Sequence, residues 1–428
     1  MEVYIMTTAK SKVIVTANDL GYSSVKADID DKELKFPSVM AQLRPQDVPA
    51  PAEINSDNEM EVYMNNFLDN MDVTVASNTV KTASRFLIGQ AAVNSGLSLR
   101  QLDINDYTGK SETDLSVILT LSMIAGRRVQ EAYKNGEDIT KELQTDAYMA
   151  TALPVSEGKR DNARDAYAQR YLSNKHVVTF HNFADPITVN ITFKKVYVAL
   201  EGETAQMIIA SDMEGLSEGI KKDFDENYPE LAEDVTVDDI IGAKNAVGID
   251  IGGGTTDVVA IINGKANASA STSVPNGYGS VLQEAVRILQ DRQMNFEDRS
   301  QLQSFIEEKV SPLRRGQQKA AQQVVDEQVG PLTDSIIDAA SQTLRVARDT
   351  EVIFVYGGGS IPMKSNSDLR TRLAAKVKSF TGGYDIPVVW IPQEYAQKLN
   401  LYGLEAIARQ LTADANKASN SIKASKEE

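Results

Sequence analysis

Ile249–Val259 reads IDIGGGTTDVV, which sets two carboxylates, three consecutive glycines and two hydroxyls between strand-like runs. Glycine loses the most backbone freedom on folding, so three in a row weaken a regular element unless the backbone must come close to something. The pattern predicts a hairpin turn, Gly252–Thr256, whose N–H groups converge on phosphate oxygens, with Thr255 and Thr256 adding hydroxyl donors. It is not a Walker A loop, because the spaced Gly-Lys-Ser/Thr is missing and a strand follows. Asp19-Leu-Gly-Tyr-Ser-Ser repeats the design near the start of the chain, with Gly21, Ser23 and Ser24 as phosphate contacts. Asp19 and Asp250 end their strands where carboxylates can hold a hydrated Mg²⁺ through its waters. In FVYGGGS, the bare backbone of Gly357, Gly358, Gly359 and Ser360 suits a flat base or a ribose. Gly277 and Gly279 in NGYGS open a helix whose first amides can reach a ribose or phosphate. Glu157, in a turn after TALPV, is placed to orient an attacking water, as in-line phosphoryl transfer requires. Each element has a plainer reading: a hairpin, a turn-forming aspartate, a left-handed turn, a loop-to-helix junction, a surface glutamate. Four such turns in this order narrow the choice.

The elements that must position these residues follow from composition and pattern. A chain of 428 residues holds two or three domains. Cysteine is absent, which excludes disulfides and thiolate metal sites. The two histidines, His176 and His181, are too few for a zinc site and are expected at the surface. A net charge of −16 excludes a general polyanion-binding surface, so phosphate must be held locally by backbone amides and a cation. No run approaches the roughly 20 apolar residues that cross a bilayer; Leu115–Ala125 is too short and reads as a buried helix. Met1–Lys12 has no signal-like layout and reads as a lead-in to the first strand, which makes the cytoplasm the expected compartment.

Val13–Ala17 and Val25–Asp28 form a hairpin, Arg44–Asn58 a loop, and Val73–Lys81 with Arg85–Gly89 a pair of short strands. Leu115–Tyr133 is helical and stops at Asn135-Gly136. Arg160–Leu172 and Leu216–Asp225 read as helices, Val177–Met207 as strands, and Asp223–Asp239 as a solvated acidic loop with a short helix. From Ala246 the texture resets: AVGIDI, DVVAII and Ala268–Val274 are strands, followed by a helical stripe through Val281, Leu282, Ala285, Val286 and Leu289. Val352–Tyr356 and Val388–Ile391 are strands, Leu369–Phe380 and Gln393–Leu411 helices, and the tail 412–428 reads as disordered. The two Asp-x-Gly turns, about 230 residues apart, imply two similar domains facing each other across a cleft.

These motifs together resemble the actin, DnaK-type chaperone and sugar kinase superfamily. IDIGGGTTDVV looks like its second phosphate motif, ANDLGYSSVK its first, and VYGGGS its adenosine motif. RFLIGQAA, TALPVSE and PQEYAQKLNLYGLEAIA are similar to stretches of the ParM and Alp group of bacterial actin-like proteins, and the resemblance spans nearly the whole chain. It implies an α/β actin-like fold of duplicated RNase H-like domains with an interdomain nucleotide cleft. Domain I would cover 1–244 and regain the helix 393–411; domain II would cover 245–392. It further implies ATP (or GTP) with Mg²⁺, polymerisation into a polar, multi-stranded filament, disassembly after hydrolysis, and segregation of plasmid or phage DNA. A ParR-like adaptor would touch the DNA, and no membrane would be involved. By position, Asp19 and Asp250 would serve Mg²⁺, Asp250 and Glu157 catalysis, and the glycine turns the nucleotide. Tyr22 departs from the pattern, since many relatives have a small residue there; its ring must point away from the phosphates. A monomeric sugar or acetate kinase-like phosphotransferase is the alternative within the superfamily. A chaperone lacks room for a peptide-binding domain after Leu411, and NKASNSIKASKEE has no apolar face for membrane tethering.

Overall fold

The computed structural model describes residues 11–427 except 82, 83, 104, 105, 107, 174, 212 and 214. The expected lead-in Met1–Lys12 therefore lies almost wholly outside the described residues. The chain divides into two compact units. The first comprises Met1–Leu153, Asp161–Ala199 and Leu404–Glu428, the second Pro154–Arg160 and Leu200–Gly403.

The first unit is built on a ten-stranded sheet. Its strands are β1 (Lys12–Leu20), β2 (Ser24–Ile29), β3 (Glu33–Pro37), β4 (Val39–Gln42), β5 (Asp72–Ala76), β6 (Arg85–Ile88), β7 (Leu99–Gln101), β8 (Leu143–Leu153), β9 (Lys175–Phe180) and β10 (Ile187–Leu200). Their order is β3-β2-β1-β8-β10-β9-β5-β6-β4-β7. β1, β2 and β3 form an antiparallel meander, and β8 joins β1 in parallel. The helix Asp114–Lys134 starts where the Thr113 side chain accepts from the Leu115 amide, and it ends at Asn135 followed by Gly136 at φ +69°. Leu115–Ala125 is buried throughout, as a core helix should be. Among the described residues no helix is long and apolar enough to cross a membrane.

His176 corrects the expectation of surface histidines. It is fully buried, with Nε2 2.9 Å from the Tyr171 carbonyl and Nδ1 2.8 Å from the Ser77 hydroxyl. Burial pushes its pKa down, so it packs as a neutral ring. His181 is half-buried against the Thr74 hydroxyl at 2.8 Å.

The second unit repeats the same beginning. β11 (Ala246–Ile251), β12 (Thr256–Ile262) and β13 (Lys265–Val274) form a meander, and β14 (Val352–Tyr356) then β15 (Val388–Trp390) add in parallel, giving β13-β12-β11-β14-β15. The repeat first visible as two Asp-x-Gly turns is thus a repeat of topology. Both faces of this sheet are buried. Ile353 and Val355 point into a core with the helices Tyr278–Asp291 and Val329–Val346, while Val352, Phe354 and Tyr356 point into another. Strict alternation along a strand makes that division automatic.

That second core draws in the helices Glu203–Ile209 and Leu216–Asn227 through Ala205, Ile209, Leu216, Ile220 and Phe224. Leu200–Lys244 therefore belongs to the second unit, where a boundary near Lys244 had been expected, and Glu203–Met207 is helical rather than strand. Asp223 is likewise not solvated. It is buried and accepts hydrogen bonds from both Lys364 (2.7 Å) and Arg370 (2.9 Å), and from the Trp390 amide at 2.8 Å. Arg370 also stacks 5.0 Å above the Trp390 ring. The last helix runs Leu399–Glu427, through the segment from Thr412 whose composition reads as disordered.

The sheet edges are blunt. β7 and β15 are three residues long, β3 carries Glu33, Lys35 and Pro37, and the pairing of β12 with β13 shifts register between Val258 and Ala260.

Asp223→Ala is expected to destabilise the second unit by about 3 kcal/mol, the low end for breaking a buried pair, because Lys364 and Arg370 stay partly exposed. Burial alone would raise the Asp223 pKa, but Arg370, Lys364 and the Trp390 amide outweigh it and hold it below the ordinary 3.8. A depressed carboxyl contributes stability above its unfolded pKa and loses it as pH falls through the folded value. Acid unfolding, read by the emission of Trp390, the one tryptophan in the chain, should be less steep below about pH 4 in Asp223→Ala than in the wild type.

Candidate functional site

Each unit carries one phosphate-type turn, and the two turns close alike. In the first unit the Gly21 amide donates to the Ser24 carbonyl at 3.1 Å; in the second the Gly252 amide donates to the Thr255 carbonyl at 2.9 Å. A Cβ at Gly21 would lie 2.8 Å from that Ser24 oxygen, and one at Gly252 would lie 2.9 Å from that of Thr255. Glycine is therefore required at both positions by the turn itself.

In the second unit three glycine segments meet backbone to backbone. The Tyr278 amide donates to the Gly252 carbonyl (2.9 Å), Gly279 to Gly253 (2.8 Å), and Gly359 to Ile251 (2.7 Å). These bonds orient the turn. In a trans peptide the carbonyl and the following N–H point in opposite directions. With the carbonyls of Gly252 and Gly253 turned toward Tyr278 and Gly279, the N–H groups of Gly253 and Gly254 point the other way, side by side. Two successive amides so aligned make an anion-binding concavity.

The other glycines permit this contact. A Cβ at Gly277 would come 2.4 Å from the Gly252 oxygen, and one at Gly279 would come 2.3 Å from the Gly253 oxygen and 2.7 Å from Arg299 Nη1. At Gly357, with φ +89°, a Cβ would strike Asp250 Oδ1 at 2.2 Å. At Gly358 a Cβ would meet the Gln397 side chain first, at 3.5 Å. Ser360 closes its own turn, its hydroxyl donating to the Gly357 carbonyl at 2.8 Å, and its carbonyl accepts from the Trp390 indole at 3.0 Å.

The hydroxyls of the turn are engaged within the protein. Thr256 donates to the Asn276 carbonyl at 2.9 Å, and Thr255 to Asp257 Oδ2 at 3.3 Å. Asp257 Oδ1 accepts the Val155 amide at 3.1 Å, in the one-turn helix Val155–Gly158 that carries Glu157. One buried carboxylate thus fastens the Glu157 turn to the strand after the glycines. Glu157 itself is buried. Tyr356, buried beside this network, is held well above the ordinary phenol range by burial and then by the charges of Asp250 and Asp257.

In the first unit Asp19 pairs across the hairpin with Lys26, its register partner, at 3.2 Å. Ser38 donates its hydroxyl to the Gly21 carbonyl at 2.6 Å, and Ser23 is exposed. The Tyr22 ring packs on the core of this unit, with Lys110 Nζ 4.5 Å from its centroid.

The structure brings together Asp250, Gly252–Thr256, Gly277, Gly279 and Gly357–Ser360 in one unit, with Glu157 tied in through Asp257. Asp19, Gly21, Ser23 and Ser24 form the turn of the other. Sequence reasoning gave no role to Asp257, Arg299 or Asn400, whose amide donates to Asp250 Oδ2 at 2.7 Å.

The fold and these turns define the actin-like class. Residues 17–203 match the family model for the N-terminal domain of actin-like proteins, and 248–368 match that for the C-terminal part of archaeal actin homologues related to MreB. No curated protein sequence matches. Among solved structures, the actin-like protein Alp7A superposes with a TM-score of 0.66 at 17% identity, covering 96% of this chain and all of that one. Bacillus thuringiensis ParM with ATP follows at 0.57 and 13%, covering 94% and 99%, and an archaeal actin homologue in complex with ADP at 0.53 and 15%, covering 93% and 99%. Both halves of the chain thus match models of actin-like proteins, and the likeness to Alp7A and ParM is one of fold.

Gly277→Ala should cost about 1–3 kcal/mol through overpacking against the Gly252 backbone, since its φ of −131° is open to alanine and only the contact is not. Gly316→Ala, with nothing within 4 Å and a helical position, should instead gain up to about 1 kcal/mol. Thermal unfolding of the pair checks both signs.

Proposed function

We propose that this chain is a filament-forming ATPase that binds ATP with Mg²⁺, polymerises in the triphosphate state and disassembles after hydrolysis. The observation that carries this reading is the pair of identically closed glycine turns, one of them presenting two aligned amides. Gly252–Thr256 and the Gly21, Ser23 and Ser24 turn hold phosphates, with Gly277 and Gly279 setting the backbone approach. Gly357–Ser360 lines the nucleoside, adenosine of ATP or guanosine of GTP.

Among the described residues no three carboxylates or histidines gather to hold a metal by themselves. That suits Mg²⁺, which keeps several waters and takes one or two carboxylates plus substrate phosphates. Asp19 and Asp250, each just before the turn of its own unit, are the carboxylates proposed to serve it. When bound, the metal offsets the charge on the phosphates, which an acidic chain needs. Glu157 orients the attacking water, and Asp257 fixes its turn to the phosphate turn.

The actin-like fold and the neighbours crystallised with ATP and ADP support nucleotide use. Self-association into a polar filament, a ParR-like adaptor, plasmid or phage DNA as cargo and a cytoplasmic setting complete the proposal.

Sedimentation and light scattering with Mg²⁺ and ATP, ADP, GTP or no nucleotide test it, with phosphate release followed in parallel. Polymer formed only with triphosphate, then lost as phosphate appears, is the expected result. Hydrolysis or binding with no polymer at any concentration overturns it in favour of a kinase-like phosphotransferase. Asp250→Ala and Glu157→Ala are each expected to slow phosphate release by about 10²-fold or more while nucleotide binding stays measurable.

A further inference from the structure

The carboxylate of Asp250 is gripped from two sides. Its Oδ1 lies against Gly357, where any Cβ would be 2.2 Å away. Its Oδ2 accepts from Asn400 Nδ2 at 2.7 Å, in the first turn of the helix Leu399–Glu427. Asn400 Oδ1 in turn accepts from the Gly202 amide and from the Thr204 hydroxyl, each at 3.0 Å. With two donors on the oxygen, the amide has one orientation only, and its N–H must face the carboxylate.

The support behind Asn400 is rigid. Gly202 sits at φ +84°, and a Cβ there would meet Val259 Cγ2 at 2.5 Å. One turn beyond Asn400, a Cβ at Gly403 would come 2.4 Å from the Thr204 carbonyl, so the helix lies flush on its neighbour.

We propose that Asn400 is a positioning residue: it holds the Asp250 carboxylate in the one orientation that serves the hydrated Mg²⁺ of a bound nucleotide. This rests on the nucleotide reading above. Outer partners that orient a metal-serving carboxylate typically matter by about 10- to 100-fold in affinity or activity. The charges of Asp250 and Asp257 both reach Tyr356 beside this centre.

Asn400→Asp separates the roles. It keeps the volume and the acceptor for Gly202 and Thr204, removes the donor, and sets a like charge beside Asp250. Asn400→Ala removes all three bonds. The measurements are ATP affinity with and without Mg²⁺, phosphate release, and thermal unfolding. In both variants the gain in affinity from Mg²⁺ should fall about 10- to 100-fold, with affinity for metal-free nucleotide kept. Both variants should lose thermal stability, Asn400→Ala through its three lost bonds and Asn400→Asp through the like charge beside Asp250. An Asn400→Asp protein with the wild-type Mg²⁺ gain overturns the assignment and leaves the nucleotide reading intact. A wild-type chain that binds no nucleotide removes both.

Discussion

The site depends on close backbone packing: the carbonyls of Ile251, Gly252 and Gly253 accept from amides of two other segments. A side chain at Gly277, Gly279 or Gly359 would push those segments apart. Bonded this way, the turn cannot rotate its peptide planes, and the N–H groups of Gly253 and Gly254 keep a fixed direction whether or not anything meets them. A site that pays its ordering cost during folding binds an anion without paying it again.

Around that contact the second unit is arranged in concentric support. Asp257 links the turn to the helix of Glu157, Asn400 links Asp250 to the helix Glu203–Ile209, and Trp390 links the end of the GGGS segment to β15. Behind them, Asp223 gathers Lys364, Arg370 and the Trp390 amide. Each of these residues is far from its partner in the chain, so each link ties together distant parts of the sequence. The first unit has the same opening meander but replaces the second glycine of the turn with Tyr22, whose ring finds Lys110 and the core instead.

Much of this was legible in the sequence because it is local. Alternation in AVGIDI and DVVAII, the helical stripe of Leu115–Tyr133 and the glycine turns are all properties of neighbouring residues, and the strands, the helix and the hairpins formed where they read. What could not be read was partnership. Asp223 sits in a run of acids and lysines that looks solvated, and only Arg370 and Lys364, some 140 residues later, make it a buried anion. His176 lies in an alternating strand, but nothing local says that Tyr171 and Ser77 close over it. Asn400 is a polar residue in an ordinary helix until Asp250 and Gly202 are placed beside it. The helix past Thr412 likewise continues through residues whose composition alone favours disorder.

The blunt sheet edges bear on how copies of this chain can meet. A long, flat edge recruits further strands through its backbone, and arrays built that way are among the hardest to take apart. Strands of three residues, a proline and a register shift along the ten-residue edge strand β13 weaken that route. Any assembly then rests mainly on side chains, and at a net charge of −16 the copies repel until salt shortens the reach of their fields to roughly 8–10 Å. Contacts of that kind are adjustable by ionic strength.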